Sequence, residues 1–352
     1  MIIKKMKHFS FILIAVLFIT YCDSSQGNTN ILNTGDMIDY TIDTISFSMA
    51  HVTEKKFFPI GENDDDMAFV WNPYWIAETE VTYELWAAVY EWATHTDRGE
   101  QVYTLYNPGL RGALDGPNDT DQHPVTEISW RDVIVWCNAL TEYCNYKNGT
   151  DLDCVYYTDS TYAMPLRVSN IDPISEANPI VQDLPFIKAK AEGNIDIFNC
   201  TAKGFRLPTS SEWELAARYR GPDMTNTVQS TIKGVDFSDP FDGIYWTRGV
   251  SLSGAPTAYD DVDEINNTFG VFNSEMAAVK SKASGFNALG LYDMSGNVRE
   301  WCFDAYLNSI AYRMMGGGCY SNSAAVLQVG KLTQDSPTWM DNETGFRVAR
   351  SQ

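Results

Sequence analysis

Thiols, imidazoles and paired carboxylates are the side chains that could carry chemistry here, and imidazoles are scarce. The chain has 7 cysteines and 4 histidines in 352 residues. His8, His51, His95 and His123 are scattered along it, too dispersed for a facial iron or zinc site. No Cys-x-x-Cys pair occurs, which argues against a structural zinc centre. Cys137 and Cys144 stand two turns apart on one expected helix, too far for a mutual bridge. The pairing of Cys137, Cys144, Cys154, Cys200, Cys302 and Cys319 stays open. Asp293 and Glu300 flank Met294-Ser295-Gly296-Asn297-Val298-Arg299. Two carboxylates with backbone carbonyls between them suit calcium, which takes oxygen ligands. The alternative is that Asp293 caps a turn and Glu300 makes a buried ion pair.

Few regular elements are available to position these groups. The N-terminus is basic at Lys4, Lys5 and Lys7, and an apolar run from Phe9 to Ile19 follows. That run is too short for a bilayer and reads as a secretory signal over residues 1–21. Cys22 ends it and resembles the lipid acceptor of a bacterial lipobox, with Tyr21 in place of the usual small residue. Residues 22–43 are polar and are expected to be a tether, followed by one domain over 44–352. No second apolar run of about 18 residues occurs, so membrane contact is expected through the lipid alone. Thr82 is expected to cap a helix through Trp92. Ser129 with Asp132, and Thr209 with Glu212, have capping-box spacing before apolar stripes. Two or three helices thus sit among short strands and long segments punctuated by Gly, Pro, Asn and Asp.

Hydrophobic residues make up 44% and charged residues 20%, a globular rather than disordered balance. The formal net charge of −21 argues against a nucleic-acid partner and against docking on anionic lipid through basic residues. The run Glu62, Asp64, Asp65 and Asp66 is expected to be a solvated face. Trp130, Trp213 and Trp301 are expected in the core. Arg206 and Arg347 each follow Gly-Phe and are expected to pair with buried carboxylates. His123 is expected to make a buried hydrogen bond.

Several segments in order carry a resemblance. They are Glu78-Thr79-Glu80-Val81-Thr82, His123-Pro124-Val125-Thr126-Glu127-Ile128-Ser129-Trp130 and Gly204-Phe205-Arg206-Leu207-Pro208-Thr209-Ser210-Ser211-Glu212-Trp213-Glu214. Leu289 to Trp301, Gly316-Gly317-Gly318 and Gly345-Phe346-Arg347-Val348-Ala349-Arg350 complete the set. Together they resemble the formylglycine-generating-enzyme, or sulfatase-modifying factor, family. The resemblance implies an α+β fold of C-type lectin kind with little regular structure. It also implies calcium on Asp293, Glu300 and the carbonyls of Gly296 and Val298. The family's enzymes oxidise a cysteine with copper held by two cysteines. Here those positions read Asn322 and Leu327, and neither supplies the soft sulfur that copper(I) needs. No copper and no catalytic residue is therefore expected.

The stretch from about Gly316 to Gln352 departs from that family in a second recognisable way. It is similar to the variable regions of proteins diversified by retroelements that rewrite adenines. The resemblance implies a ligand-binding set of Tyr320, Ser321, Asn322, Ser323, Ala325, Val326, Leu332, Thr333, Gln334, Asp335, Trp339 and Met340. Its frame would be Gly317, Gly318, Ala324, Gln328, Val329, Gly330, Pro337 and Gly345-Phe346-Arg347. With Cys22, the whole is similar to the variable lipoproteins of treponemes. The expectation is a non-enzymatic, exported bacterial lipoprotein, exposed at the outer membrane. Tyr, Trp and short polar residues point to a protein surface as the ligand. An altered or degenerate oxidase and an envelope scaffold lipoprotein are the alternatives.

Overall fold

The computed structural model describes residues 32–53, 57–170, 172, 183–188, 200–258, 267–307 and 309–352. The signal segment 1–21 and Cys22 lie outside the described residues. From Leu32 to the C-terminus the chain forms one compact unit. The main elements are strands β1 (Met37–Ile42), β2 (Ile45–Val52), β3 (Phe57–Ile60), β4 (Asp66–Phe69) and β5 (Tyr74–Ala77), then helices α1 (Tyr83–Thr94) and α2 (Trp130–Asn148). After them come β6 (Phe205–Arg206), α3 (Ser210–Arg218), β7 (Arg299–Tyr306), β8 (Ser309–Gly316), β9 (Thr333–Asp335), β10 (Thr344–Gly345) and β11 (Ala349–Ser351).

The boundary of the domain is a correction to the sequence reading. Residues 37–42 are a strand and not tether: β1 pairs antiparallel with β2 from Met37 opposite Ala50 to Ile42 opposite Ile45. Its burial alternates, because one face meets the core while the other meets water. Tyr40 packs on Phe47 and Phe205, with ring centroids 5.1 Å away in both cases. A half-buried edge strand with polar residues on its open face looks like a linker in sequence.

Two sheets organise the rest. The first runs β1-β2-β5-β11-β6, so the C-terminal strand is inserted between early and middle strands. The second runs β9-β8-β7-β10, with β10 parallel to β7 and the other pairs antiparallel. The helices start as expected. Thr82 accepts from the Leu85 amide at 3.3 Å, and both Ser129–Asp132 and Thr209–Glu212 form complete capping boxes. α1 and α2 meet through Trp86 and Trp136, stacked 5.3 Å apart, with Phe346 edge-on to both. Trp130, Trp213 and Trp301 are fully buried. The cysteines Cys137, Cys144, Cys154, Cys200, Cys302 and Cys319 are all free.

Buried arginines join elements that are distant in sequence. Arg206 holds the capping carboxylate of Glu212 through two bonds of 2.7 and 2.8 Å. Arg131 grips Asp183 at 2.8 Å with both side chains out of water. Arg218 donates to Glu214, Asp64, the Gly61 carbonyl and the Thr247 carbonyl. The acidic run is therefore not uniformly a solvated face: Glu62, Asp65 and Asp66 are exposed, but Asp64 turns inward to Arg218 and to the Gly249 amide. His123 accepts from the Thr120 amide through Nδ1 at 2.9 Å.

Arg218→Met should cost about 3–5 kcal/mol, because it strands the buried Glu214 carboxylate. Denaturant unfolding measures this; a loss below about 1 kcal/mol would show that Arg218 does not anchor the β3–β4 hairpin.

Candidate ligand-binding patch

The last strands build the site. β8 ends at Gly316, and the chain then turns through Gly317 and Gly318, with φ of 90° and 66°. L-residues rarely adopt these values. A Cβ on Gly318 would also stand 3.1 Å from the Val326 carbonyl oxygen. This tight turn brings the next residues over the open end of the second sheet. Asn322 Oδ1 accepts from the Cys319 amide at 3.0 Å, and a short 3-10 turn over Ala324–Val326 follows. Leu327 then plugs into an apolar pocket with Leu252 and Ala255.

Burial divides the stretch. Ser321, Ser323, Gln334, Trp339 and Met340 are exposed, and Tyr320, Asn322, Ala325, Val326, Leu332, Thr333 and Asp335 are half-buried. Gly317, Gly318, Gln328, Val329, Gly330, Pro337, Gly345, Phe346 and Arg347 are buried. Ala324 is the one frame position that is half-buried instead. None of the candidate contact residues is fully buried, although Leu332 and Val326 pack against apolar core clusters. Cross-strand register explains how they come together: Thr333 faces Met315, Met315 faces Trp301, and the neighbouring row runs Gly316, Glu300, Gly345. The chain leaves the sheet at Gly316 and re-enters it at Thr333, so Thr333, Gln334 and Asp335 are the edge strand β9 itself.

Three residues that the sequence reading did not assign complete this surface. Arg299 pairs with Asp341 at 2.9 Å and Glu343 at 2.7 Å. Glu343 accepts from Ser321, and Asp341 accepts from the Trp339 indole at 3.1 Å. Burial, then the Glu343 carboxylate, pushes the Tyr320 phenol up to about 12. Arg299 was legible only as the neighbour of Glu300 on a strand, where adjacent side chains point to opposite faces.

Glu300 points the other way, into the core. Its Oε2 accepts from Arg347 Nε at 2.6 Å and Trp213 Nε1 at 2.7 Å, and its Oε1 from Arg347 Nη2 at 2.5 Å. Arg347 also donates to the carbonyls of Ala77 and Tyr292 at 3.0 Å. Asp293 has a φ of 57° and accepts from the Lys280 amide at 2.9 Å. Burial raises its carboxyl to about 6. Gly296 donates its amide to the Gly317 carbonyl at 2.8 Å, and Val298 is buried.

Calcium on Asp293, Gly296, Val298 and Glu300 would have to share Glu300 with Arg347 and Trp213. A divalent ion would have to displace Arg347 and Trp213 from both oxygens of Glu300, or sit against a guanidinium. The buried ion pair that was the alternative for Glu300 is present, with both side chains out of water. Glu80 lies in the same region, and its side-chain oxygens accept no hydrogen bond from another described residue. Burial, then the charges of Asp293 and Glu300, hold its carboxyl well above the usual range.

Asn322 and Leu327, the positions that the family resemblance implies for copper, carry an amide and a hydrocarbon. Cys319 is a single buried thiol, 3.4 Å from the Ser321 hydroxyl, and burial raises its pKa. Raised, buried thiols are poor nucleophiles and poor metal ligands.

Residues 46–352 match the family described as sulfatase-modifying factor enzyme 1-like domain. The chain belongs to that family. A curated relative, chaperone protein LppX of Paenibacillus barcinonensis, is 26% identical over 349 residues, covering 97% of this chain and 98% of its own length. The serine/threonine-protein kinase pkn1 of Chlamydia caviae is 24% identical over 272 residues, and the match spans only 38% of that longer protein. Among solved structures, Treponema denticola variable protein 1 aligns with a TM-score of 0.58 at 24% identity, covering 90% of this chain and 99% of the other. CarF aligns at 0.57 and 24% identity, covering 87% and 98%. These structures share the α+β fold of C-type lectin kind, as the sequence resemblance implied.

Two outcomes are expected. Calcium and a chelator should give the same melting temperature, whereas Glu300→Gln should lose about 3–5 kcal/mol; a calcium-dependent shift would restore the metal reading. Asp293 has a folded pKa above its unfolded value, so its stabilising contribution is present below about pH 4 and is lost as pH rises through about 6. Asp293→Asn should therefore flatten the change in stability between pH 5 and pH 8, by roughly 1.4 kcal/mol at most; an unchanged pH profile would contradict this.

Proposed function

We propose that this chain is a non-enzymatic surface lipoprotein that binds a protein ligand through a diversified patch. The observation that carries the reading is the division of burial: every candidate contact residue is exposed or half-buried, while the glycines, Pro337 and Phe346 between them are buried. Such a division lets side chains change without changing the frame. Tyr320, Trp339 and Met340 offer apolar contact area, and Ser321, Ser323 and Gln334 offer adaptable hydrogen bonds. The near full-length similarity to a protein named as a chaperone supports a protein, rather than a sugar, as the ligand class. The two non-thiol copper positions support a role without catalysis. Export and outer-membrane attachment through an acylated Cys22 belong to the same reading. No helix among the described residues is long and apolar enough to cross a membrane.

The test needs only DNA. A near-copy of the codons for about Gly316 to Gln352 should lie close to the gene, differing almost only where the copy has adenine. Differences should fall on the exposed and half-buried positions named above and spare Gly317, Gly318, Pro337 and Phe346. A genome with no such copy would favour the envelope-scaffold alternative.

A further inference from the structure

We infer that the base of the β3–β4 hairpin is a second interaction surface, and that its partner is the interface of the lipid bilayer. This inference rests on the proposal that Cys22 carries the anchor. Phe57 and Trp71 are 47% and 64% exposed. They are joined through Phe69, with ring centroids 4.8 Å apart for Phe57–Phe69 and 4.5 Å for Phe69–Trp71. The other face of the hairpin is fixed in the core by Phe58 and Val70, which are buried. The three rings are thus held outward on an anchored element. Contiguous exposed aromatic area of this kind marks a contact surface.

Position says which partner it meets. Thr53, just before the hairpin, is bonded to Thr34 by the Thr34–Thr53 hydroxyl pair at 2.6 Å and its own amide at 3.0 Å. The described chain begins at Leu32, so the N-terminal entry and the aromatic base share one pole. Only ten residues, Cys22 to Ile31, separate the acceptor cysteine from that entry. Ten residues reach at most about 35 Å. An acylated Cys22 would therefore keep this pole beside the bilayer. Charge distributes the same way along the hairpin. Its tip carries the exposed Glu62, Asp65 and Asp66 and touches the frame of the variable stretch at Gly330, whereas its base carries the rings. Trp and Phe favour the bilayer interface, where an apolar ring is buried and its edge stays wet. Docked by its base, the hairpin holds its acidic tip and the adjoining frame away from lipid.

The experiment uses the full lipidated chain on phosphatidylcholine vesicles, with and without brominated acyl chains that quench nearby indoles. Trp71 and Trp339 are the two strongly exposed tryptophans among the described residues. Wild-type emission should fall on brominated vesicles, and Trp71→Ser should abolish that quenching while still cosedimenting. Trp339→Ser should leave the quenching intact. Near-ultraviolet dichroism checks that each variant is folded. Quenching that persists in Trp71→Ser, or that disappears in Trp339→Ser, overturns the inference. So does self-association in solution that Trp71→Ser abolishes while quenching stays unchanged, since the surface would then fit a second copy. If the wild type does not cosediment, acylation of Cys22 has failed rather than the surface. The same measurement is then made on protein coupled through the Cys22 thiol to a maleimide lipid, and absent quenching there overturns the inference.

Discussion

The Arg347–Glu300 pair is the interaction on which the rest of the structure depends. Glu300 comes from β7 in the second sheet, and Arg347 comes from the segment that leads into β11 of the first. Trp213 of α3 donates to the same carboxylate, and the Ala77 and Tyr292 carbonyls accept from the same guanidinium. Both charged side chains are out of water. Desolvating two charges is costly, and a buried pair is weak evidence for net stability compared with apolar filler. Its value lies in geometry. A bidentate fork accepts one arrangement of its partners, so two sheets and a helix are locked in a single register.

That register is what a substitutable surface requires. The chain between β8 and β11 returns to the core repeatedly, at Leu327 to Gly330, at Pro337 and at Thr344 to Val348. Between these returns the backbone crosses the surface with side chains exposed or half-buried, Leu332 and Val326 still resting on the core. Specificity can then reside in residues that the fold does not need, which is how one scaffold serves unrelated tasks. The Arg299–Asp341–Glu343 cluster stiffens this surface from the opposite face of the strand that carries Glu300.

Local rules were readable from sequence, and long-range pairings were not. Ser129, Thr209 and Thr82 announce helices because a cap and its partner lie within three residues. Arg206 and Arg347 were expected to pair, and the family motifs placed the fold. The β1 strand was missed because its open face is polar and its partner strand gives it meaning. Asp64 was read with its acidic neighbours because Arg218, which buries it, stands 154 residues away. Calcium was expected from the spacing of Asp293 and Glu300; spacing gives no sign that Arg347 already holds the second carboxylate. Glu80 sits in a recognised motif, yet nothing local signals a buried acid that accepts no hydrogen bond from another described residue.

The central claim is that a rigid buried frame presents a surface free to change. Saturation mutagenesis of residues 316–352, with surface display and selection for protease resistance, measures it directly. The account predicts that Ser321, Ser323, Gln334, Trp339 and Met340 accept most residue types, with tolerance nearly as broad at the half-buried positions of the patch. Gly318, Leu327, Gly330, Phe346 and Arg347 should accept almost none. Folded variants distributed evenly across both sets, or tolerance concentrated on the frame, would contradict it.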